Sequence, residues 1–107
     1  MKKYKVKISN LALRDMEEIY CYISERLGSP ETAMKQYDRI AEAIESLNVF
    51  PERFQVMDID PRPSKDVRQV MIDHYSAIYT VEGDMVTVVR VLYSASDLAA
   101  KLQNRIS

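Results

Sequence analysis

The stretch that most constrains this chain runs from Val67 to Tyr93, VRQVMIDHYSAIYTVEGDMVTVVRVLY. It reads as three β-strands in a meander. Glu82-Gly83-Asp84 stands between two β-branched and aromatic runs, a strong hairpin signal, because Gly83 can adopt positive φ without a steric penalty. Asp73-His74 marks a weaker break of the same kind. The second strand alternates, with Tyr75, Ala77, Tyr79 and Val81 on one face and Ser76, Ile78 and Thr80 on the other. From Met85 to Tyr93 the third strand is apolar on both faces except at Thr87 and Arg90. Such a strand needs cover on both sides and therefore belongs in the middle of a sheet. Val86, Val88 and Leu92 would face one way, and Met85, Val89, Val91 and Tyr93 the other. A single helical hairpin can shield only one of these faces.

The N-terminal half supplies that hairpin. Tyr4, Val6 and Ile8 alternate with Lys3, Lys5 and Lys7, as in a strand with one wet face. Ser9-Asn10 offers an N-cap. Leu13, Met16, Ile19, Tyr20, Ile23 and Leu27 then recur at helical spacing. Gly28 stops this helix, and Ser29-Pro30-Glu31 starts another, with a cap, a first-turn proline and an acid on the dipole. Ala33, Tyr37, Ile40, Ala41, Ile44 and Leu47 form its apolar stripe, so the two helices fold back as an αα-hairpin. Phe50-Pro51 ends the second helix. A long connection follows, and Pro61 and Pro63 bar it from helix and central strand alike. Beyond Tyr93, Leu98, Ala99, Leu102 and Ile106 suggest a short helix capped near Ser96. The expectation is one domain over residues 1–107. It is an α+β, two-layer fold with an αα-hairpin on a mainly antiparallel sheet, in the order β-α-α-β-β-β plus a C-terminal helix.

Charge is uneven. Residues 1–14 carry a formal +5, residues 15–54 carry −5 and residues 55–107 carry −1. A protein that grips nucleic acid usually shows a basic excess, because phosphate neutralisation drives that affinity, so direct nucleic-acid binding is not expected. The lysines of the first strand serve to keep an edge strand soluble. The single cysteine, Cys21, allows no internal disulfide, and a reducing cytoplasm is the expected home. The opening MKKYKVKISN lacks the apolar run of a signal peptide, and no stretch approaches a membrane span. No cofactor or metal is expected. The acids Asp15-Glu17-Glu18 and Glu42/Glu45 read as solvated helix faces without a histidine to complete a metal site. His74, the only histidine, falls at a turn. Arg90, inside an apolar strand, must reach water or find a partner such as Asp73.

Several features together resemble the RelE/ParE superfamily of bacterial toxins from type II toxin–antitoxin modules. They are the element order, the helix opening Ser9/Ala12/Asp15 with Ile19 and Ile23, and the Leu47–Pro51–Arg53 exit. Arg68, YSAIYTV, Gly83-Asp84 and the closing RVLYSASDL complete the pattern. The resemblance implies a growth-inhibiting, plasmid-stabilising toxin neutralised by a cognate antitoxin. In one branch such toxins cut mRNA on the ribosome; in the ParE-like branch they poison DNA gyrase by protein–protein contact. RNA cleavage needs a base for the 2′-hydroxyl, cations for the developing phosphate charge and an acid for the leaving oxygen. Here Ser76 stands where the nucleases have an arginine, and Tyr93-Ser94-Ala95-Ser96 replaces their basic ending. No catalytic residue is assigned. Arg68, His74, Tyr75, Arg90 and Tyr93 are the candidate functional surface. Lys5, Lys7, Val89 and Val91 are the candidate antitoxin contacts, with an acidic antitoxin stretch expected to meet the lysines. The ParE-like reading, in which gyrase is the further partner, is preferred. The alternatives are a ribosome-dependent endoribonuclease, or a non-toxic member that binds an antitoxin or pairs with itself when free.

Overall fold

The computed structural model describes residues 2–94; the helix expected near Ser96 lies outside them. Strand β1 spans Lys5–Ile8, helix α1 Asn10–Cys21 and helix α2 Pro30–Glu45. Strands β2, β3 and β4 span Arg68–Ile72, Tyr75–Glu82 and Met85–Tyr93. The sheet order is β1-β4-β3-β2, with β1 parallel to β4 and the other neighbours antiparallel. Strand β4 is therefore central, as its two apolar faces require. The β2–β3 turn places Asp73 at φ 56°, and the β3–β4 turn places Gly83 at φ 62°.

Local chemistry accounts for the helices. Ser9 accepts a hydrogen bond from Ala12 N–H and caps α1; Ser29 accepts one from Thr32 N–H and caps α2, with Pro30 in the first turn. The first helix does not continue unchanged to residue 27, because Tyr22–Arg26 widens into a π-helical turn before Gly28 reverses the chain at φ 66°. Two residues of the expected apolar stripe miss the core: Leu13, in regular helix, is exposed, and Leu27, past the π-helical turn, is 62% exposed. The buried face of α1 is instead Ala12, Asp15 and Met16.

The main core lies between the helical hairpin and one sheet face, where Ala12, Met16, Ile40, Ile44 and Leu47 meet Val70, Ile72, Ala77, Tyr79, Val86, Val88 and Val91. The other face is not left open. The connection between α2 and β2 folds back across it, so Ile59 and Val67 pack on Ile78 and Leu92, joined by Met57 and Val89. Met57 N–H donates to Val67 O, and Gln69 N–H to Gln55 O, which pins the connection to β2. Prolines kept this segment out of regular structure, but they did not keep its apolar residues off the sheet.

A bulge corrects the expected facing of β4. Ile78 pairs with Arg90 while Tyr79 pairs with Val88, leaving Val89 as the extra residue. The insertion shifts the alternation, so Val91 joins Val86 and Val88 under the helices. Val89 and Leu92 belong to the opposite cluster.

Candidate functional site

The bulge lies where β4 loses a neighbour. Strand β1 pairs with β4 only from Met85 to Val88, and the chain then leaves the sheet to enter α1. Backbone groups on that side of β4 still need partners. Side chains at the start of α1 provide them. Ser9 Oγ donates to Val89 O at 3.0 Å, and Asp15 Oδ2 accepts from Val91 N–H at 3.0 Å. The same carboxylate holds Arg90 in a fork, Oδ2 accepting from Nε at 2.7 Å and Oδ1 from Nη2 at 3.0 Å. Arg90 is thus neutralised by Asp15, not by Asp73, and Asp15 is a buried residue instead of part of a solvated face. The hydrogen bonds that Arg90 donates to Asp15, ahead of the charges of Asp15 and Glu18, hold its guanidinium above its ordinary pKa.

Beside this ion pair opens a groove of about 1120 Å³. One wall comes from α1 and the π-helical turn. Asp15, Glu18, Ile19 and Tyr22 follow i, i+3, i+4, i+7 spacing and so share a face, and Ile23 and Leu27 extend it. The opposite wall is the β2–β3 turn and the end of β4: His74, Tyr75, Arg90, Val91, Leu92 and Tyr93. Thr32 and Gln36 of α2 close one side. Tyr75 and Tyr93 meet edge to face with centroids 5.7 Å apart, and His74 lies 6.4 Å from Tyr93. Burial, then the neighbouring Tyr93 and Tyr22, raises the Tyr75 pKa. The turn carrying His74 is anchored from α2, since Arg39 donates to both Asp73 oxygens at 2.7 and 3.0 Å and Gln36 to one of them at 3.0 Å.

Four of the five residues expected on a functional surface therefore converge: His74, Tyr75, Arg90 and Tyr93. Arg68 does not join them. Its Nη1 donates to Glu52 O and Phe54 O, at 3.1 and 2.7 Å, and ties the α2–β2 connection to the sheet. Of the candidate antitoxin contacts, Lys5 and Lys7 are exposed on the outer strand. Val89 is partly buried under the connection. Val91, 1% exposed, is a core residue and offers no free side chain. The residues that sequence reasoning missed are Asp15, Glu18, Tyr22 and Leu27. Their signal was the single-face spacing on α1 combined with a lone arginine in an apolar strand.

Among the described residues the groove is mainly aromatic and aliphatic, with two carboxylates and one arginine. Among the described residues, no three histidine, cysteine or acidic side chains are placed to hold a metal ion. None of the described helices is long and apolar enough to cross a membrane.

Residues 6–98 match the family model described as the ParE toxin of the type II toxin–antitoxin system parDE. No curated protein sequence gives a match. Among solved structures, the chain is similar to one described as the chromosomal ParDE TA system from P. aeruginosa. That likeness has 22% identity and a TM-score of 0.71, over 89% of this chain and 100% of the other. It is also similar to the archaeal RelE–RelB complex from Pyrococcus horikoshii OT3, with 19% identity, TM-score 0.58, and 90% and 99% coverage. A third likeness is to the toxin–antitoxin complex RelBE2 from Mycobacterium tuberculosis, with 16% identity, TM-score 0.61, and 89% and 97% coverage. At these identities the shared feature is the fold.

Proposed function

This chain belongs to the ParE toxin family of type II toxin–antitoxin systems, and we propose that it is a toxin held in check by a cognate antitoxin and acting by protein–protein contact, with DNA gyrase as the target. One observation carries the choice of mechanism. Arg90, the arginine of the groove, has its fork filled by Asp15, and Arg68 is spent on backbone carbonyls. Neither cation is free to stabilise the charge that grows on phosphate during RNA cleavage. What the groove does offer is apolar and aromatic surface, the kind of surface through which proteins anchor one another. The similar solved structures from P. horikoshii and M. tuberculosis are complexes with antitoxins, which supports the same partner class here.

Expression without the neighbouring short reading frame is expected to slow growth and raise a DNA-damage response, with translation continuing. Normal growth at confirmed expression of folded protein would instead identify a non-toxic, antitoxin-binding member. Purified protein added to programmed ribosomes should leave mRNA intact. Codon-specific cleavage lost on changing Arg68 or Tyr93 would replace the contact mechanism with ribonuclease action.

A further inference from the structure

We propose that the groove seats an antitoxin segment that is largely apolar and carries a lysine or arginine directed at Glu18. The proposal rests on the toxin–antitoxin reading above and adds the chemistry of the contact. It adds a contact of the opposite sign on a different surface from the basic first strand, where an acidic antitoxin stretch is expected from sequence.

Charge within the groove decides the sign. Asp15 takes both hydrogen bonds of the Arg90 fork and also the Val91 N–H, so that pair is complete. Glu18 lines the same groove one helical turn along from Asp15, is exposed, and has no ion-pair partner among the described residues. Among the described residues the groove therefore holds two carboxylates against one guanidinium. An occupant bringing a cation balances the charge; one bringing an acid adds a repulsion that burial strengthens. Surroundings favour the same choice. Tyr22, Tyr75 and Tyr93 supply ring faces that attract cations and accept the aliphatic stems of lysine and arginine. At about 1120 Å³, and walled by α1, α2 and the end of β4, the groove has room for the side chains of a polypeptide segment.

The test uses the full chain and the product of its neighbouring short frame, with affinity measured at low and high salt. Glu18→Lys should weaken binding by about tenfold or more. Glu17→Lys, the same charge change one position away and outside the groove, should stay within about twofold. Glu18 is exposed, so a thermal melt should find the variant folded. A lysine- or arginine-to-glutamate change in the antitoxin should then restore binding to the Glu18→Lys chain. Unchanged binding by Glu18→Lys, or loss that no such swap restores, overturns the groove proposal while the antitoxin reading stands. Failure of the unaltered chain to bind the neighbouring product overturns both. Hydrogen exchange of the partner-free chain supplies the remaining arm. Protection over residues 22–27 that disappears when Lys101 and Arg105, the two cations that follow Tyr93 in sequence, are both changed to glutamate would assign the groove to the chain's own C-terminal residues, and loss of a dimer in Glu18→Lys would assign it to a second copy. Either result rules out the antitoxin as the intended occupant.

Discussion

The two halves of β4 are the same strand in two different environments. From Met85 to Val88 it has a strand on each side, and Val86 and Val88 are wholly buried beneath the helices. From Val89 onward β1 is gone, and α1 side chains stand in for the missing strand. Backbone groups find partners in both halves, through a ladder in one and through Ser9 and Asp15, at Val89 O and Val91 N–H, in the other. The difference is what remains at the surface. A paired strand is covered along its length, whereas a strand capped at single points is left open beyond the last cap, here Asp15. The groove occupies that space, and Tyr93 at its end is 58% exposed. A site can thus arise where sheet pairing stops, with no loop dedicated to forming it.

The largest expected effect breaks the capped half. Asp15→Ala removes the acceptor for a mostly buried guanidinium and for the Val91 N–H at once. It should cost about 3–5 kcal/mol in urea unfolding. Replacing the pair together, Asp15→Leu with Arg90→Met, should recover much of that loss, because no uncompensated charge remains. A loss under about 1 kcal/mol for Asp15→Ala would show that the capped half does not depend on this carboxylate.

The paired half can be probed by pH. Tyr79 lies opposite Val88, is fully buried, and donates its hydroxyl to Pro51 O. Burial pushes its pKa from 10.0 up to about 12. The folded state therefore holds the phenol proton more tightly than the unfolded state. Its contribution should be complete below pH 10 and lost as pH rises from 10 towards 12, by roughly 2–3 kcal/mol. Tyr79→Phe should remove most of that slope, leaving the part contributed by Tyr75, whose pKa burial also raises. An undiminished slope in the variant would assign the loss to other groups.

Val88→Ala sharpens the contrast by deleting two methyl groups from the dry half, at roughly 2 kcal/mol. Tyr93→Ala in the capped half should change stability by no more than about 0.5 kcal/mol, yet weaken antitoxin capture measurably. Paired melting and binding assays check both. Equal stability losses at the two positions would mean that the halves are packed alike.

Much of the fold was legible. Ser9, Gly28, Ser29-Pro30 and Gly83 act locally, through capping and backbone conformation, and each acts in the structure as its neighbours in sequence imply. The stripe of α2 was equally readable, since Ala33, Ile40 and Ile44 follow one helical period. Leu13 and Leu27 were misread because hydrophobicity at the right spacing does not say where a partner surface ends. The site was half legible. Aromatic residues near the end of an apolar strand could be picked out, and so could a lone arginine in need of a partner. Its partner could not, because Asp15 is 75 residues away and sits in a run of acids that resembles any solvated helix face.

The sequence by itself determined the order of the elements, the central position of β4 and the two helix caps, because these follow from period, propensity and turn chemistry within a few residues. Tertiary structure alone decided three other matters. It set which acid neutralises Arg90, it turned Val91 inward through the bulge at Val89, and it laid Ile59 and Val67 over the sheet face that one hairpin could not cover. Each is a pairing between distant segments, settled by the arrangement that buries the most apolar surface while leaving the fewest polar groups unsatisfied. Local sequence states only that such a partner is needed. The packed chain selects it.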